Sequence, residues 1–436
     1  MKNTKLFQYI VIGLFVFFII VGAVLFATYK SKDKNTSDIN ITVWGTLPLD
    51  GFSTFISKFF EASQLKYKVN YVERDPATFD RDLVEALASR VGPDAIILPE
   101  DLIIRYSKRI YTIPYSILSQ LQFKQTFIQE GELYLTTDGV LALPFSVDPL
   151  IMYWNRDIFN NFGVTKPPVT WAEISSLTSK MTKKDQAKNI LSSTVALGEF
   201  RNINNAKEII TSLIMQAGNP IVTIDSNGAY KSVVDTGTGS KTFPVSASIQ
   251  FFTNFSNPNK VEYSWNRSLP NSLDVFSNGD LAMYFGFASE YAKIKNKNPN
   301  LNFDVAPLPQ SLLATTKTYS TFGNMLGLAI MKNSANPAGV YTVISALTSA
   351  QAYPFWTDIF NIPSARRDIL GQAEKKPAKA VFNSSAIMSK GWYDPSTAET
   401  SVIFQEMVES YTTGRESMAT AITAASGQLD NLLYIK

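Results

Sequence analysis

An acid sits inside an apolar run in the stretch LPFSVDPLIMYWNRDIFNNFGVTKPPVTWAEI, residues Leu143–Ile174. A carboxylate in such surroundings must find donors, because burying it unpaired is costly. Asp148 therefore either accepts hydrogen bonds from a bound molecule or caps a backbone turn beside Pro149. Glu100 and Asp101 follow the apolar strand Asp94–Leu98. Ligands of open α/β sheets lie beyond the carboxyl ends of the strands, which makes both acids ligand candidates. They are equally suited to capping the Leu102–Ser107 turn. Trp44 ends the first strand at the same sheet edge, next to Gly45-Thr46, where a glycine permits close approach. It either faces a ligand or packs under the apolar helix that follows. Trp392, with Tyr393, stands in a polar loop before Asp394-Pro395 and reads as an aromatic platform. Trp265 is a weaker candidate, and Trp154 and Trp171 read as core. Aromatic faces stack on the C–H faces of a sugar ring while carboxylates take its hydroxyls, so these residue types together suit a carbohydrate.

Much other chemistry is excluded by composition. The 436 residues contain no Cys and no His. Disulfides, thiolate catalysis, Cys/His zinc sites and a Ser-His-Asp triad are therefore out of reach of this chain. No Asp-rich calcium loop is visible, and no cofactor is expected. The net charge of +3 comes without a dense Lys/Arg stretch, so nucleic acid is set aside. With 37 acids a glycosidase pair is not excluded by residue type. Without His, no side chain has an ordinary pKa between 5 and 8, so ligand affinity is expected to be nearly flat over that range.

The elements that must position these residues can be read from periodicity. Ile41–Trp44 is a short strand. Phe52, Phe55, Ile56, Phe59 and Phe60 mark one buried helix face. Tyr67, Val69 and Tyr71 alternate as a strand. Asp75-Pro76 opens a helix with Leu83, Val84, Leu87 and Val91 inside. With the strand Asp94–Leu98 this gives β-α-β-α-β, the pattern of a lobe with a mostly parallel sheet. Pro167-Pro168 forbids helix, and Thr170 with Glu173 forms a capping box for a helix beginning at Trp171. Further helices are expected at Trp171–Met181, Ala206–Ala217, Ser246–Phe255, Leu273–Asn278 and Pro337–Leu347. Strands are expected at Leu281–Phe285, Asn302–Ala306 and Met325–Met331. From Gln351 the chain is mainly helical. Ser226–Lys241 is rich in Gly, Ser and Thr and reads as an exposed hairpin or loop.

At the amino end, Tyr9–Thr28 is uncharged and mostly apolar. At about 1.5 Å per residue it matches one hydrocarbon thickness. It is too long for an ordinary signal peptide and lacks a clean small-residue cleavage site. Residues 9–29 are therefore expected to be an uncleaved transmembrane anchor, with 1–8 cytoplasmic and 30–39 a polar linker to an extracellular body.

The Leu143–Ile174 segment resembles a signature of the extracellular solute-binding proteins of ABC importers, the group that includes sugar and maltodextrin binders. Phe276–Tyr291 (FSNGDLAMYFGFASEY), Pro93–Asp101 (PDAIILPED) and the Trp392 region with Gly414–Ser417 (GRES) extend the resemblance over nearly all of Asn40–Lys436. The resemblance implies an α/β, periplasmic-binding-protein-like fold, with two lobes joined by a hinge and a ligand cleft between them. It implies crossings near 144–147 and 305–310. Lobe 1 would comprise 40–145 and 309–350, and lobe 2 would comprise 146–308 and 351–436. It places Asp148 at a cleft carboxylate and makes Gly286, Phe287 and Glu290 a cleft loop. Where relatives often carry a Trp in that loop, Phe287 or Tyr291 is the nearest aromatic. Asn324, after Phe322-Gly323, would meet a hydroxyl at the mouth between the lobes. The implied function is binding: a monomer that closes on a small solute, a sugar or oligosaccharide by resemblance and residue type, and delivers it to ABC permease subunits. A glycosidase-like enzyme, a ligand-free tethered scaffold and a binder of a cationic solute such as a polyamine stay open as alternatives.

Overall fold

The computed structural model describes residues 39–235, 244–311 and 319–435. The expected anchor at 9–29 lies outside the described residues, as does the part of Ser226–Lys241 beyond Asp235. Among the described residues no helix is long and apolar enough to cross a membrane.

The chain begins as its periodicity predicts. Strand Asn40–Gly45, helix Leu49–Ala62, strand Lys68–Glu73, helix Phe79–Ala88 and strand Ala95–Pro99 follow in order. The first strand pairs in parallel with both others. The second helix stops at Ala88, and Arg90 turns with φ +58°. That turn sends Val91 outward to 70% exposure, where the sequence places it inside.

One strand organises the rest. Ala142–Asn155 runs for 14 residues and is buried throughout except at Asp148, which is half-buried. Its first part pairs antiparallel with Gly323–Ile330, which in turn pairs with Ala95–Pro99. Its second part pairs with Leu281–Phe287 and, on the other side, with Phe303–Pro307. Ile190–Val195 lies beyond Leu281–Phe287. Partners change between Pro149 and Leu150, so the first passage lies after the Pro144–Val147 segment that the sequence suggests. The chain returns to the first lobe between Pro307 and Gly323.

Each half has its own apolar core. In the first, the face of helix Leu49–Ala62 meets Phe145 and Trp356, whose rings lie 4.5 Å apart. In the second, helices Trp171–Met181, Ala206–Gln216, Val245–Asn254, Thr397–Thr412 and Met418–Ile435 enclose the sheet. The sequence assigns 351–436 to the second lobe, but helix Tyr353–Phe360 packs in the first. Tyr353 and Trp356 are fully buried there, and the Trp356 indole N–H donates to the Ile362 carbonyl at 3.0 Å. Its aromatic face is what the phenylalanine-rich first helix needs as a partner. Pro377–Ile387 then packs on the Phe303–Pro307 strand and leads to the helices of the second lobe.

Candidate functional site: an acid-rich cleft between the lobes

The site begins where the strand Ala95–Pro99 ends. Pro99 is extended, and Glu100–Leu102 form a single turn. Asp101 accepts a hydrogen bond from the Thr397 backbone N–H at 3.3 Å, at the start of a second-lobe helix. Ile104, from the first lobe, packs into the core of the second. The lobes are thus in contact, with Glu100 buried and Asp101 half-buried between them.

Glu100 and Glu130 are 6% and 2% exposed. Glu130 comes from the turn Gln129–Tyr134. One oxygen of Glu100 and both oxygens of Glu130 lack hydrogen-bond partners. Burial pushes both carboxyls well above the ordinary range. The charges of Glu130, Asp394 and Asp101 push Glu100 further, while contact with Glu100 partly offsets the rise at Glu130. Two ionised carboxylates have no donor to offer each other, so burial side by side disfavours the fully charged pair. Two glycines admit the two side chains. A Cβ on Gly391 would fall 2.6 Å from Glu100 Oε2, and one on Gly323 would fall 2.6 Å from Glu130 Oε2.

Opposite stands a buried ammonium. Lys207 is 3% exposed and lies at the start of helix Ala206–Gln216. Its Nζ donates to Asp394 Oδ2 at 2.7 Å and to Thr400 Oγ1 at 3.3 Å, and lies 3.7 Å from Glu208 Oε1. Burial works to lower its pKa, but Asp394 and Glu208 outweigh that and hold it above the ordinary value. Glu208 is pushed up by burial, with Lys207 pulling back. Asp101 is pushed up by burial and by Asp394, with Thr397 opposing.

The remaining residues gather around the partner change in the long strand. Asp148 Oδ1 accepts from the Ser289 N–H at 3.0 Å. Burial raises it to about 7 against that bond. A carboxyl shifted this far is the one kind of group that can give a His-free chain a pH response near neutrality. Asn324 lies across from Asp148 in the register and is exposed. Glu290 accepts from the Tyr284 hydroxyl at 2.6 Å, the Phe287 N–H at 3.0 Å and Asn205 Nδ2 at 2.9 Å. These three donors hold the loop, and so does Gly286, whose Cβ would meet the Tyr284 ring at 2.4 Å. Phe287 is buried against Phe322. Asn205, with φ +58°, links this group to Lys207 two residues on.

The aromatic candidates sit deeper than the sequence suggests. Trp44 is buried in the first lobe with the Arg74 guanidinium 3.7 Å above its ring. Trp392 is 4% exposed, in the second-lobe core against Phe404, and its indole N–H has no partner. Trp265 is fully buried. None of the three presents a free face, because each is packed within the core of a single lobe. The structure thus joins Glu100 and Asp101 with Asp394 and Lys207, and joins Asp148, Gly286, Phe287 and Glu290 through Asn205 and Ser289. Glu130, Asn205, Lys207, Glu208 and Asp394 escape sequence reasoning. Lys207 did leave a signal: it shares a helix face with Ile210 and Ile214, both buried. Among the described residues no group of three or more acids is arranged to hold a metal ion.

A two-lobed α/β fold with polar groups from both lobes meeting at the contact defines a periplasmic-binding-protein-like architecture. The chain belongs to the bacterial extracellular solute-binding proteins, whose family model matches residues 56–382. It is similar to binding proteins of Brucella abortus (strain 2308) and Brucella suis biovar 1, at 22% identity over 312 residues, covering 67% of each chain. Among solved structures, the cyclic α-maltosyl-1,6-maltose binding protein of Arthrobacter globiformis superposes with TM-score 0.73 at 13% identity, covering 92% of this chain and 100% of that one. A cyclo/maltodextrin-binding protein complexed with maltotetraose gives 0.70 at 14%, covering 92% and 98%. An ABC transporter solute-binding protein of Thermotoga lettingae, bound to α-D-tagatose, gives 0.66 at 16%, covering 91% and 100%. At these identities the likeness establishes the fold.

Proposed function

We propose that this protein captures a small solute between its lobes and delivers it to the permease subunits of an ABC importer. The observation that carries this reading is a set of acids from both lobes gathered at their contact, Glu100, Glu130 and Asp394 buried and Asp101 half-buried. Ligand joining both lobes favours the closed form by its differential affinity. A sugar or oligosaccharide suits this acceptor-rich cleft, as the solved relatives' own ligands suggest. Glu100, Asp101, Asp148 and Asn324 are the contacts we assign to it, together with Lys207 and Asp394. Gly286, Phe287 and Glu290 shape the loop beside it, and Trp44 and Trp392 stay within the lobe cores. In the same reading, residues 9–29 anchor a monomer in the membrane with the lobes outside. The first lobe comprises 40–149, 323–350 and the helix at 353–360; the second comprises 150–307 and the helical end of the chain.

The test is a thermal-shift screen of the full-length chain. A ligand at a hundredfold excess over Kd stabilises by about 2.7 kcal/mol. A rise in Tm with one solute class, lost in Asp101→Ala, supports the reading. Turnover of an oligosaccharide would replace it with an enzyme.

A further inference from the structure

Resting on the reading of residues 9–29 as a membrane anchor, we propose that the end of the first lobe where the described chain begins docks on an anionic lipid surface. The contact is made by Lys108, Arg109 and Lys332, with the Arg90-Val91 turn beside them. Sheet register gathers these residues at one end. The Thr42 carbonyl, near the start of strand Asn40–Gly45, accepts from the Asp94 N–H at 2.9 Å, and the Asp94 carbonyl accepts from the Met331 N–H at 2.9 Å. Lys332 comes next in the chain. Its backbone N–H donates to the Arg109 carbonyl at 3.0 Å, and its Nζ donates to the Lys108 carbonyl at 2.8 Å. The three cations thus stand side by side around a recess of about 450 Å3, whose apolar lining is Val84, Leu87 and Ala88. Asn333, on the same recess, donates to the Gly92 carbonyl at 3.4 Å, which sets the Arg90-Val91 turn at its rim.

Three observations point to lipid. The first is charge. Among the described residues Arg90, Lys108, Arg109 and Lys332 pair with no carboxylate, while Arg81 and Arg105 on the neighbouring helices bond Asp82 at 3.2 Å and Asp80 at 2.9 Å. Lys66 and Lys68 add to the same end, at the start of the strand paired with Asn40. Its acids are Glu61, Glu85 and Asp94, and Asp94 is occupied by the Thr42 N–H and the Ser334 hydroxyl. Like charges held together repel, and an anionic surface relieves that repulsion. The second is Val91, 70% exposed among these cations. An apolar side chain in a cationic rim suits the boundary between headgroups and acyl chains. A free anion would fill the recess but leave Val91 in water. The third is where the chain enters. Only residues 29–38 separate the apolar run Tyr9–Thr28 from Ile39, a reach of about 40 Å at full extension. The tether therefore delivers this end of the lobe to the bilayer at high effective concentration.

The absence of Cys makes a single-site label possible. Val91→Cys in the full-length chain, carrying a fluorophore, is reconstituted into phosphatidylcholine vesicles with or without phosphatidylglycerol, both containing a headgroup-quencher lipid. Leu49→Cys is the control, exposed beyond the opposite end of strand Asn40–Gly45. We expect quenching at Val91→Cys and not at Leu49→Cys, only with phosphatidylglycerol, and lost at high salt. Lys108→Gln, Arg109→Gln and Lys332→Gln together should lower the docked-to-free ratio on the order of a hundredfold, at about fivefold per cation. All three side chains are exposed, so the melting temperature should stay unchanged. Chain that floats with both vesicles but is quenched equally in the two overturns the docking and leaves the anchor. Quenching abolished by inorganic phosphate at constant ionic strength assigns the recess to a free anion and overturns the lipid. Failure to float with either vesicle overturns the anchor and the docking together.

Discussion

Asp148 carries a pH consequence of its own. Its carboxyl titrates near 7 in the folded chain, against about 3.9 for an ordinary Asp. The folded chain therefore keeps a proton that the unfolded chain gives up, and stability falls as pH rises through that window. Glu100 and Glu130, also raised, act in the same direction. We expect the melting temperature to fall between about pH 4 and pH 7, and Asp148→Asn to flatten part of that fall. Equal slopes for the two proteins would remove Asp148 as a cause. Lys207 makes a second prediction at this scale. Replacing it by Met leaves Asp394 buried without its cation, at a cost of about 3–5 kcal/mol. Adding Asp394→Leu should recover much of the loss, and denaturant unfolding of the two variants checks it. Neither residue announced its partner in the sequence. Asp148 stood out because an acid among apolar neighbours is anomalous. Glu130 lies in a short polar turn, where nothing local distinguishes a buried acid from a solvated one.

Elements whose ends are fixed by local chemistry were the most legible. Thr170 Oγ1 accepts from the Glu173 N–H at 3.3 Å, and Glu173 reaches back to the Val169 N–H at 2.7 Å, so that helix starts where its capping box says. Asn155 ends the long strand and caps the helix that follows, accepting from the Asp157 and Ile158 N–H groups at 3.0 and 3.1 Å. Asn155→Ala should cost about 1 kcal/mol, measured by chemical unfolding, and no loss would mean that packing alone sets that turn. Helix Tyr353–Phe360 shows the limit. Helical character from Gln351 onward was legible, but the choice between two cores depends on which one lacks an aromatic partner. That is a property of the assembled lobe. The aromatic rings show the same limit: a Trp in a polar loop looks exposed in the sequence, while Trp392 packs against Phe404 inside the second lobe.

At the scale of the whole molecule, length and the strand-helix alternation gave a two-domain α/β plan, and the two crossings came only from the family resemblance. Partner exchange between Pro149 and Leu150 within one continuous strand leaves no mark in composition. The closed arrangement rests on few directional contacts between the lobes, the Asp101–Thr397 hydrogen bond among them. Asp101→Ala should shift the ligand-free population toward an open form. Small-angle scattering of the ligand-free variant should then show a larger radius of gyration than that of the wild type. An unchanged radius would mean that packing around Ile104, rather than this bond, holds the lobes together.

The place of Gly323–Ile330 in the sheet also orders events in time. It lies between Ala95–Pro99 and Ala142–Asn155, so two strands made early stay apart until a much later segment inserts between them. The first half of the chain cannot finish its sheet while it is being synthesised. Closing such a distant contact is slow and leaves apolar strand edges open meanwhile. A polypeptide secreted across a membrane must stay unfolded until it has passed through, and this topology delays folding by its own wiring.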